Sequence, residues 1–293
     1  MTIFLQQVII GLANGAIYAS MALALVLIYK GTGVLNVAQG EMALFSAYIA
    51  WDLNDSGVAL PIAVGIAVFA GFVGGGLLRL VVAPVQKTGG DLSVLIVTLG
   101  VFLGINSLAG YIWGNNPLAM ESLFSDRVFH LTNLRFSAHQ LGMVVTILVM
   151  MAMVTMFFRF TRAGLYMRAA AENAPSARLA GLPVGLMLAL GWGLASAVGA
   201  VGGILITHQV FLSPPVMFGV LLWSVAAAIL GGFDSPFGAV VGGIIVGQLE
   251  SLGAFYIDII GNDLKIVAAI AVIIGVLIIR PQGLFGTPEV TRL

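Results

Sequence analysis

Residues 159–183 read RFTRAGLYMRAAAENAPSARLAGLP. Four arginines (Arg159, Arg162, Arg168 and Arg178) stand here with one acid, Glu172, and make up a third of the 12 lysines and arginines in the 293-residue chain. Long apolar runs lie on both sides. A basic island between two apolar runs separates them into distinct spans. It also assigns itself to the cytoplasmic side, because positively charged connections are retained there.

The rest of the composition agrees with a membrane chain. It is 60% hydrophobic and 8% charged, with mean hydropathy +1.10. A soluble domain carries about 25% charged residues, so this chain lacks the means to cover a water-facing surface. A β-barrel would show alternating segments of about ten residues; the apolar runs here are unbroken. The expected fold is therefore all-α and polytopic, with eight or nine transmembrane helices in one membrane domain spanning residues 1–293. Net charge is zero, which gives no basic arm for nucleic acid. There are no cysteines, which removes disulfides, thiolate metal sites and cysteine nucleophiles. His130, His139 and His208 are scattered, so no metal centre is expected. No basic residue precedes the first apolar run, and that run exceeds a signal-peptide core of about 7–15 residues. It reads as a retained span.

The apolar runs are residues 3–29, 37–53, 58–82, 92–113, 139–158, 183–207, 216–231, 237–257 and 263–280. Lys30 falls in the first connection, Arg79 and Lys87 in the third, the arginine island in the fifth, and Arg280 and Arg292 near the C-terminus. The second connection carries Asp52 and Asp55; residues 114–138 mix Glu121, Asp126, Arg127 and Arg135. Charge bias therefore predicts a cytoplasmic C-terminus and, with nine spans, an outside N-terminus.

Two of the runs are short, and each follows an irregular segment: KGTGVLNVAQG at 30–40 and HQVFLSPPVMFG at 208–219. After each comes a short run, an Asp-Ser turn (Asp55-Ser56, Asp234-Ser235) and a glycine-rich run. The order is the same while the sidedness is opposite, the pattern of an inverted repeat with interrupted helices beside a transport path. The first repeat is expected over residues 3–113 and the second over 183–280, with a coupling loop at 159–183. Ordinary helix ends in two unrelated loops would give the same residues, and that alternative stays open. Glycines four apart (Gly11/Gly15, Gly100/Gly104, Gly199/Gly203, Gly238/Gly242, Gly243/Gly247) place flat spots on single helix faces and predict close helix contacts. No Gly-Lys-Ser or Gly-Lys-Thr occurs, so any ATP-binding subunit is a separate chain.

Polar residues at membrane depth line a cavity or pair with one another. Asn36, Gln39 and Glu41 in the first interruption, and Ser213, Pro214 and Pro215 in the second, are the candidate transport-path residues. Asn36 as a helix cap and Glu41 beside the helix's positive end form the competing structural reading. Glu250 lies inside the eighth run, either as a proton site or as a helix-packing residue. Asp263 and Lys265 read as an interfacial rim. Arg159 and Arg162 anchor the membrane edge. Residues 168–180 read as a short amphipathic helix, with a break or a new start at Pro175 and a stop at Gly181-Leu182-Pro183. Arg168, Glu172, Arg178 and Gly181 are accordingly the candidate contacts for a cytoplasmic partner.

The sequence Asn14-Gly15-Ala16-Ile17-Tyr18-Ala19, then Gly33-Val34-Leu35-Asn36-Val37-Ala38-Gln39-Gly40-Glu41, resembles the permease subunits of branched-chain amino-acid (Liv-type) ABC importers. That family also includes urea and short-chain amide permeases. Arg168-Ala169-Ala170-Ala171-Glu172 with Ala180-Gly181, residues 230–239 (LGGFDSPFGA) and residues 280–286 (RPQGLFG) with Pro288-Glu289-Val290 continue the resemblance to the end of the chain. It implies a bacterial inner-membrane permease that is no enzyme itself and binds no cofactor, ATP being held by a partner. It also implies two cytoplasmic ATPase subunits, a second permease (a homologue or another copy) and a periplasmic solute-binding protein. Residues 168–181 match the loop that couples the ATPases to the membrane part, and the expected cargo is a small polar solute, branched-chain or other amino acids foremost. Members usually carry His where this chain has Gln39 and Phe where it has Val37; Gln39 keeps hydrogen-bonding capacity without a titratable ring. A stand-alone ion- or proton-coupled transporter is the alternative. It needs an intramembrane charge network for which the sequence offers only Glu41 and Glu250. A non-transporting scaffold would leave the two polar interruptions without a role.

Overall fold

In lipid every backbone N–H and C=O must be satisfied within the chain, which leaves helices as the default element for apolar runs of this length. The computed structural model describes residues 2–125, 127–131, 134–256 and 265–286. The helices are α1 (Thr2–Thr32), α2 (Gln39–Asp55), α3 (Leu60–Trp113), α4 (Ala138–Phe160), α5 (Arg162–Glu172), α6 (Ala174–Leu179), α7 (Val184–Val210), α8 (Val216–Gly231), α9 (Pro236–Tyr256) and α10 (Lys265–Ile279). One antiparallel hairpin, β1 (Val128–Leu131) with β2 (Leu134–Ser137), pairs Val128 with Ser137 and precedes α4. Ser137 then starts α4 through a capping box: its Oγ accepts from Gln140 N, and Gln140 Oε1 accepts from Ser137 N.

Six segments are long and apolar enough to cross a membrane: Ile3–Thr32, Leu60–Gln86, Leu92–Trp113, Ala138–Phe160, Val184–Val210 and Pro236–Tyr256. Val216–Gly231 and Ile270–Ile279 are shorter apolar helices. With the 17-residue α2 they make the nine helical segments that the apolar runs predicted. Asp126, Asp263 and residues 287–293, with Pro288, Glu289, Val290 and Arg292, lie outside the described residues.

Two expectations need correction, the placing of Arg79 in the third connection and of Arg162 at the membrane edge alone. Helix α3 carries on through Pro84, and the reversal falls at Gly90 (φ 71, ψ −172), a backbone conformation that glycine adopts at little cost. Arg79 therefore sits buried inside a helix and not in a connection. Residues 114–138 are a connection, as expected, and carry the hairpin. Residues 168–180 divide between α5 and α6, with a new start at Pro175, one of the two expected alternatives. Thr161 Oγ1 accepts from Gly164 N, so α5 starts at Arg162, which belongs to this helix and not only to the membrane edge. The break is at Asn173, whose side chain caps α6, and Pro175 sits in the first turn of α6, where its missing N–H costs nothing.

The helix ends sort into two groups. Lys30, Arg159, Arg168, Glu172, Asp234 and Phe285 line one cavity, and Gln86 Nε2 donates to Thr32 O beside it. At the opposite end Gln6 pairs with the Arg135 backbone, Trp51 Nε1 donates to Ala119 O, and Trp113 Nε1 donates to Asp52. There too Leu118 pairs with Leu212.

Glycine sets which helices lie against each other. α1 runs along α9, where a Cβ on Gly15 would lie 2.8 Å from Ile244 Cα; Gly243 meets Ala19 and Gly247 meets Gly15. α7 runs along the first half of α3, where a Cβ on Gly75 would lie 2.6 Å from Ser196 Cβ and one on Gly193 would lie 2.8 Å from Phe72 O. α2 packs on α3 and α7, as α8 packs on α9 and α1. Gly199 and Gly203 face Gln39 and Ala43 of α2. The Gly100/Gly104 pair departs from expectation, because it meets nothing within 4 Å and points away from the chain's own packing.

Neighbouring glycines on α3 test this account. Gly75→Ala should cost about 1–3 kcal/mol through overpacking. Gly74→Ala, with open space around the new Cβ, should be neutral or gain about 0.5–1 kcal/mol from the lower backbone entropy cost. Thermal unfolding of the detergent-solubilised variants reads both; equal effects would remove the close contact as their cause.

Candidate functional site

Both interruptions are short turns sunk into the protein. In the first, Gly33 leaves α1 with φ +70 and donates to Tyr29 O. Ala38 N then donates to Asn36 Oδ1 at 3.1 Å, and Gln39 N to Asn36 O at 3.2 Å. In the second, Phe211 takes φ 59, Leu212 pairs with Leu118 in both directions, and Val216 N donates to Ser213 O at 3.1 Å. The same one-turn bond therefore precedes each short helix. The residues before them, Ala38 and Pro215, have helical backbone angles, and neither start has a side-chain cap.

Asn36 is thus not the cap of α2. Its carbonyl oxygen organises the turn, while its amide contacts Gln39 Oε1 at 3.5 Å and Met42 Sδ at 3.7 Å. Gln39 Nε2 donates to Ala195 O of α7 at 3.1 Å. Ala195 is the twelfth residue of α7, about 16 Å into the bundle at 1.5 Å per residue. α2 therefore begins near half depth. Asn36, Gln39 and Glu41 are all fully buried.

The two interruptions meet at Asn106, on the second half of α3. Its Nδ2 donates to Glu41 Oε2 at 3.1 Å and to Pro214 O at 2.8 Å. One amide thus ties the start of α2 to the turn before α8. The sequence reading missed Asn106; its only signal was a lone amide inside an otherwise apolar run. The other oxygen of Glu41 is buried without a hydrogen-bond partner. So Glu41 does not merely offset the helix's positive end. Two turns on, Tyr48 stacks on Trp113 with centroids 4.8 Å apart, Phe45 meets the same indole edge-on, and Trp113 bonds Asp52. Of the six transport-path candidates, Asn36, Gln39, Glu41 and Pro214 converge here, with Ser213 and Pro215 flanking Pro214.

Glu250 belongs elsewhere. Tyr18 Oη donates to its Oε2 at 2.7 Å and Asn14 Nδ2 at 3.3 Å, and the Tyr18 ring stacks on Trp223. With Gln248 bonding Val8 O and Ser251 bonding Gln7, this is a polar seam joining α1 to α9, which fits the helix-packing reading of Glu250.

The arginine island lies at the opposite end of the bundle from Asp52. Arg168 and Glu172 on α5 line a cavity of about 920 Å³ with Lys30, Arg159, Asp234 and, at its apolar floor, Trp192. Arg178 and Gly181 lie outside the cavity on the exposed α6 and its stop. Gly181 has φ 79, and Leu182 N returns to Ala177 O, the glycine stop expected there. Leu179 stands 91% exposed at the end of α6, a feature not singled out in the sequence. On the inner side, Met167, Ala170 and Ala177 pack with Val184 and Met187 at the start of α7, so α5 and α6 are fastened to that helix.

The chain matches the family model described as "Branched-chain amino acid transport system / permease component" over residues 7–279. It is 30% identical to the high-affinity branched-chain amino acid transport system permease protein LivH of Escherichia coli, covering 99% of this chain and 98% of that protein. It is equally 30% identical to BraD of Pseudomonas aeruginosa, with the same coverage. Among solved structures, PsaBC from Streptococcus pneumoniae in complex with Fab aligns at TM-score 0.49 and 11% identity over 95% of this chain and 92% of that one.

Removing the amide that joins the two interruptions should expose its importance. Asn106→Ala leaves a buried carboxylate and a buried carbonyl short of a donor, a loss of about 2–3 kcal/mol. The expected result is a lower unfolding temperature together with impaired transport; an unchanged unfolding temperature would mean that the tie is dispensable.

Proposed function

This chain belongs to the branched-chain amino-acid transport permease family, and we propose that it is the membrane subunit of an ATP-driven importer moving branched-chain or other amino acids into the cytoplasm. It works with two ATPase subunits, a second permease and a periplasmic solute-binding protein. The observation that carries this reading is the pairing of a buried polar junction, built on Asn36, Gln39, Glu41, Asn106 and Pro214, with an exposed basic element fastened to α7.

The exposed element is the ATPase contact. Arg168, Glu172 and Arg178 supply charge, Leu179 an apolar knob, and Gly181 the sharp exit. Force on α5 and α6 passes to α7 through Met167, Ala170 and Ala177, and α7 carries Ala195, the acceptor of Gln39. The cavity at this end is the inner vestibule. Its end of the bundle collects Lys30, Arg159, Arg162, Arg168, Arg178 and Arg280, which makes it cytoplasmic by charge bias. The C-terminal tail lies there too, since Leu284 N donates to Leu230 O.

The two halves act as an inverted repeat. α1, α2 and the first half of α3 correspond to α7, α8 and α9. The exchange of partners supports it: α1 against α9 is matched by α7 against α3. Rocking of one half on the other moves the two interruptions apart at the Asn106 tie, the alternating access expected of such repeats.

Coupling is tested by Leu179→Asp and Gly181→Val in the full complex. Amino-acid uptake into proteoliposomes should fall at least tenfold while the ATPase subunits still hydrolyse ATP. Normal uptake in both variants removes the docking role. The chain has no cysteine, so single replacements report sidedness cleanly. Arg178→Cys should react with a membrane-impermeant maleimide only from the cytoplasmic side, and Glu121→Cys only from the outside.

A further inference from the structure

Glu41 presents an unmatched carboxyl group. It is 0% exposed, its only described partner is the uncharged amide of Asn106, and its Oε1 has no hydrogen-bond partner. A carboxylate taken out of water is costly unless a cation or further donors compensate it. Its polar neighbours are engaged: Asn36 by its turn, Gln39 by Ala195, and Asn106 by both Glu41 and Pro214. The unpartnered oxygen of Glu41 lies where α2 begins, across Asn106 from the turn before α8.

The surroundings limit what could fill it. Towards the outer end lie Phe45, Tyr48, Trp113 and Asp52, which place aromatic rings and a second carboxylate along the same face of α2 at positions 41, 45, 48 and 52. Tyr48 Oη is itself buried and unpartnered. Rings and carboxylates in this order attract a cation and offer nothing to an anion. Towards the cytoplasm, Trp192, which lines the inner cavity, stands one turn of α7 before Ala195. The starts of α2 and α8, both without a side-chain cap, are joined through Asn106, and the positive end of a helix favours a carboxylate.

We propose that Glu41 receives the ammonium group of the transported solute, so that the permease itself, and not only its binding protein, selects an amine-bearing zwitterion over a neutral solute. This deepens the importer reading and rests on it. The solute's cation supplies the missing partner of Oε1, and Asn106 holds the other oxygen in place.

The test is equilibrium binding of radiolabelled leucine, and of its α-hydroxy analogue lacking the ammonium group, to the assembled permease–ATPase complex in nanodiscs without binding protein. Wild type should prefer leucine at least tenfold, and Glu41→Gln should abolish that preference by weakening leucine alone. Glu41→Asp, which retains the charge, should retain part of it. Tyr48→Phe, a milder change at the outer rings, should weaken leucine and leave the analogue unchanged. Equal binding of the two compounds by wild type, no binding of leucine, or a Glu41→Gln complex that keeps the full preference overturns the assignment. ATP-driven leucine uptake by wild type separates the two readings: if uptake persists while the preference is absent, only the Glu41 assignment fails; if uptake is absent, the importer reading fails.

Discussion

The structure depends on one constraint: backbone that is not helical must not meet lipid. Two turns break the helical ladder, the first near half depth, and each is affordable only inside a protein shell that satisfies its N–H and C=O groups. The glycine faces provide the shell. Without the flat surfaces of Gly71, Gly75, Gly199 and Gly203, helices α3 and α7 could not close around the first turn. Gly243 and Gly247 let α9 approach α1 in the same way on the other side. The polar junction is thus a consequence of packing density, and Asn106 is the residue that uses the space left over.

One helix is fastened at two separate points. α7 carries Met187 in the small cytoplasmic core under α5 and α6, and further along it offers Ala195 O to Gln39. A rigid helix transmits displacement without needing a chain of contacts. The fastening joins the exposed basic helices to the buried polar junction through one element.

Much of this was legible in the sequence, because bilayer thickness and helix periodicity leave few alternatives for apolar runs of this length. The broken segments announced themselves through glycine, proline and polar residues where apolar ones were due. Gly181 identified its stop because few other residues adopt its φ. What stayed hidden depended on distant partners. Asn106 sits 65 residues from Glu41 and 108 from Pro214, and nothing local marks it. Arg79 looked like a loop residue because a charge near Pro84 usually ends a span, while burial against neighbouring helices overrode that rule. The start of α5 turned on a single threonine hydroxyl. The exposed state of Leu179 is a property of the fold and has no sequence signature.

The C-terminal tail has a bearing on biosynthesis. Leu284 N and Phe285 N bond the carbonyls of Leu230 and Gly231, the last residues of α8, and Phe285 packs edge-on against Phe237 at the start of α9. Helix α8 therefore leaves the ribosome with its final carbonyls unmet, and acquires partners for them only after some fifty further residues have been made. The second short helix cannot reach its final state during elongation. Premature termination before residue 284 leaves the end of α8 without these partners in the membrane.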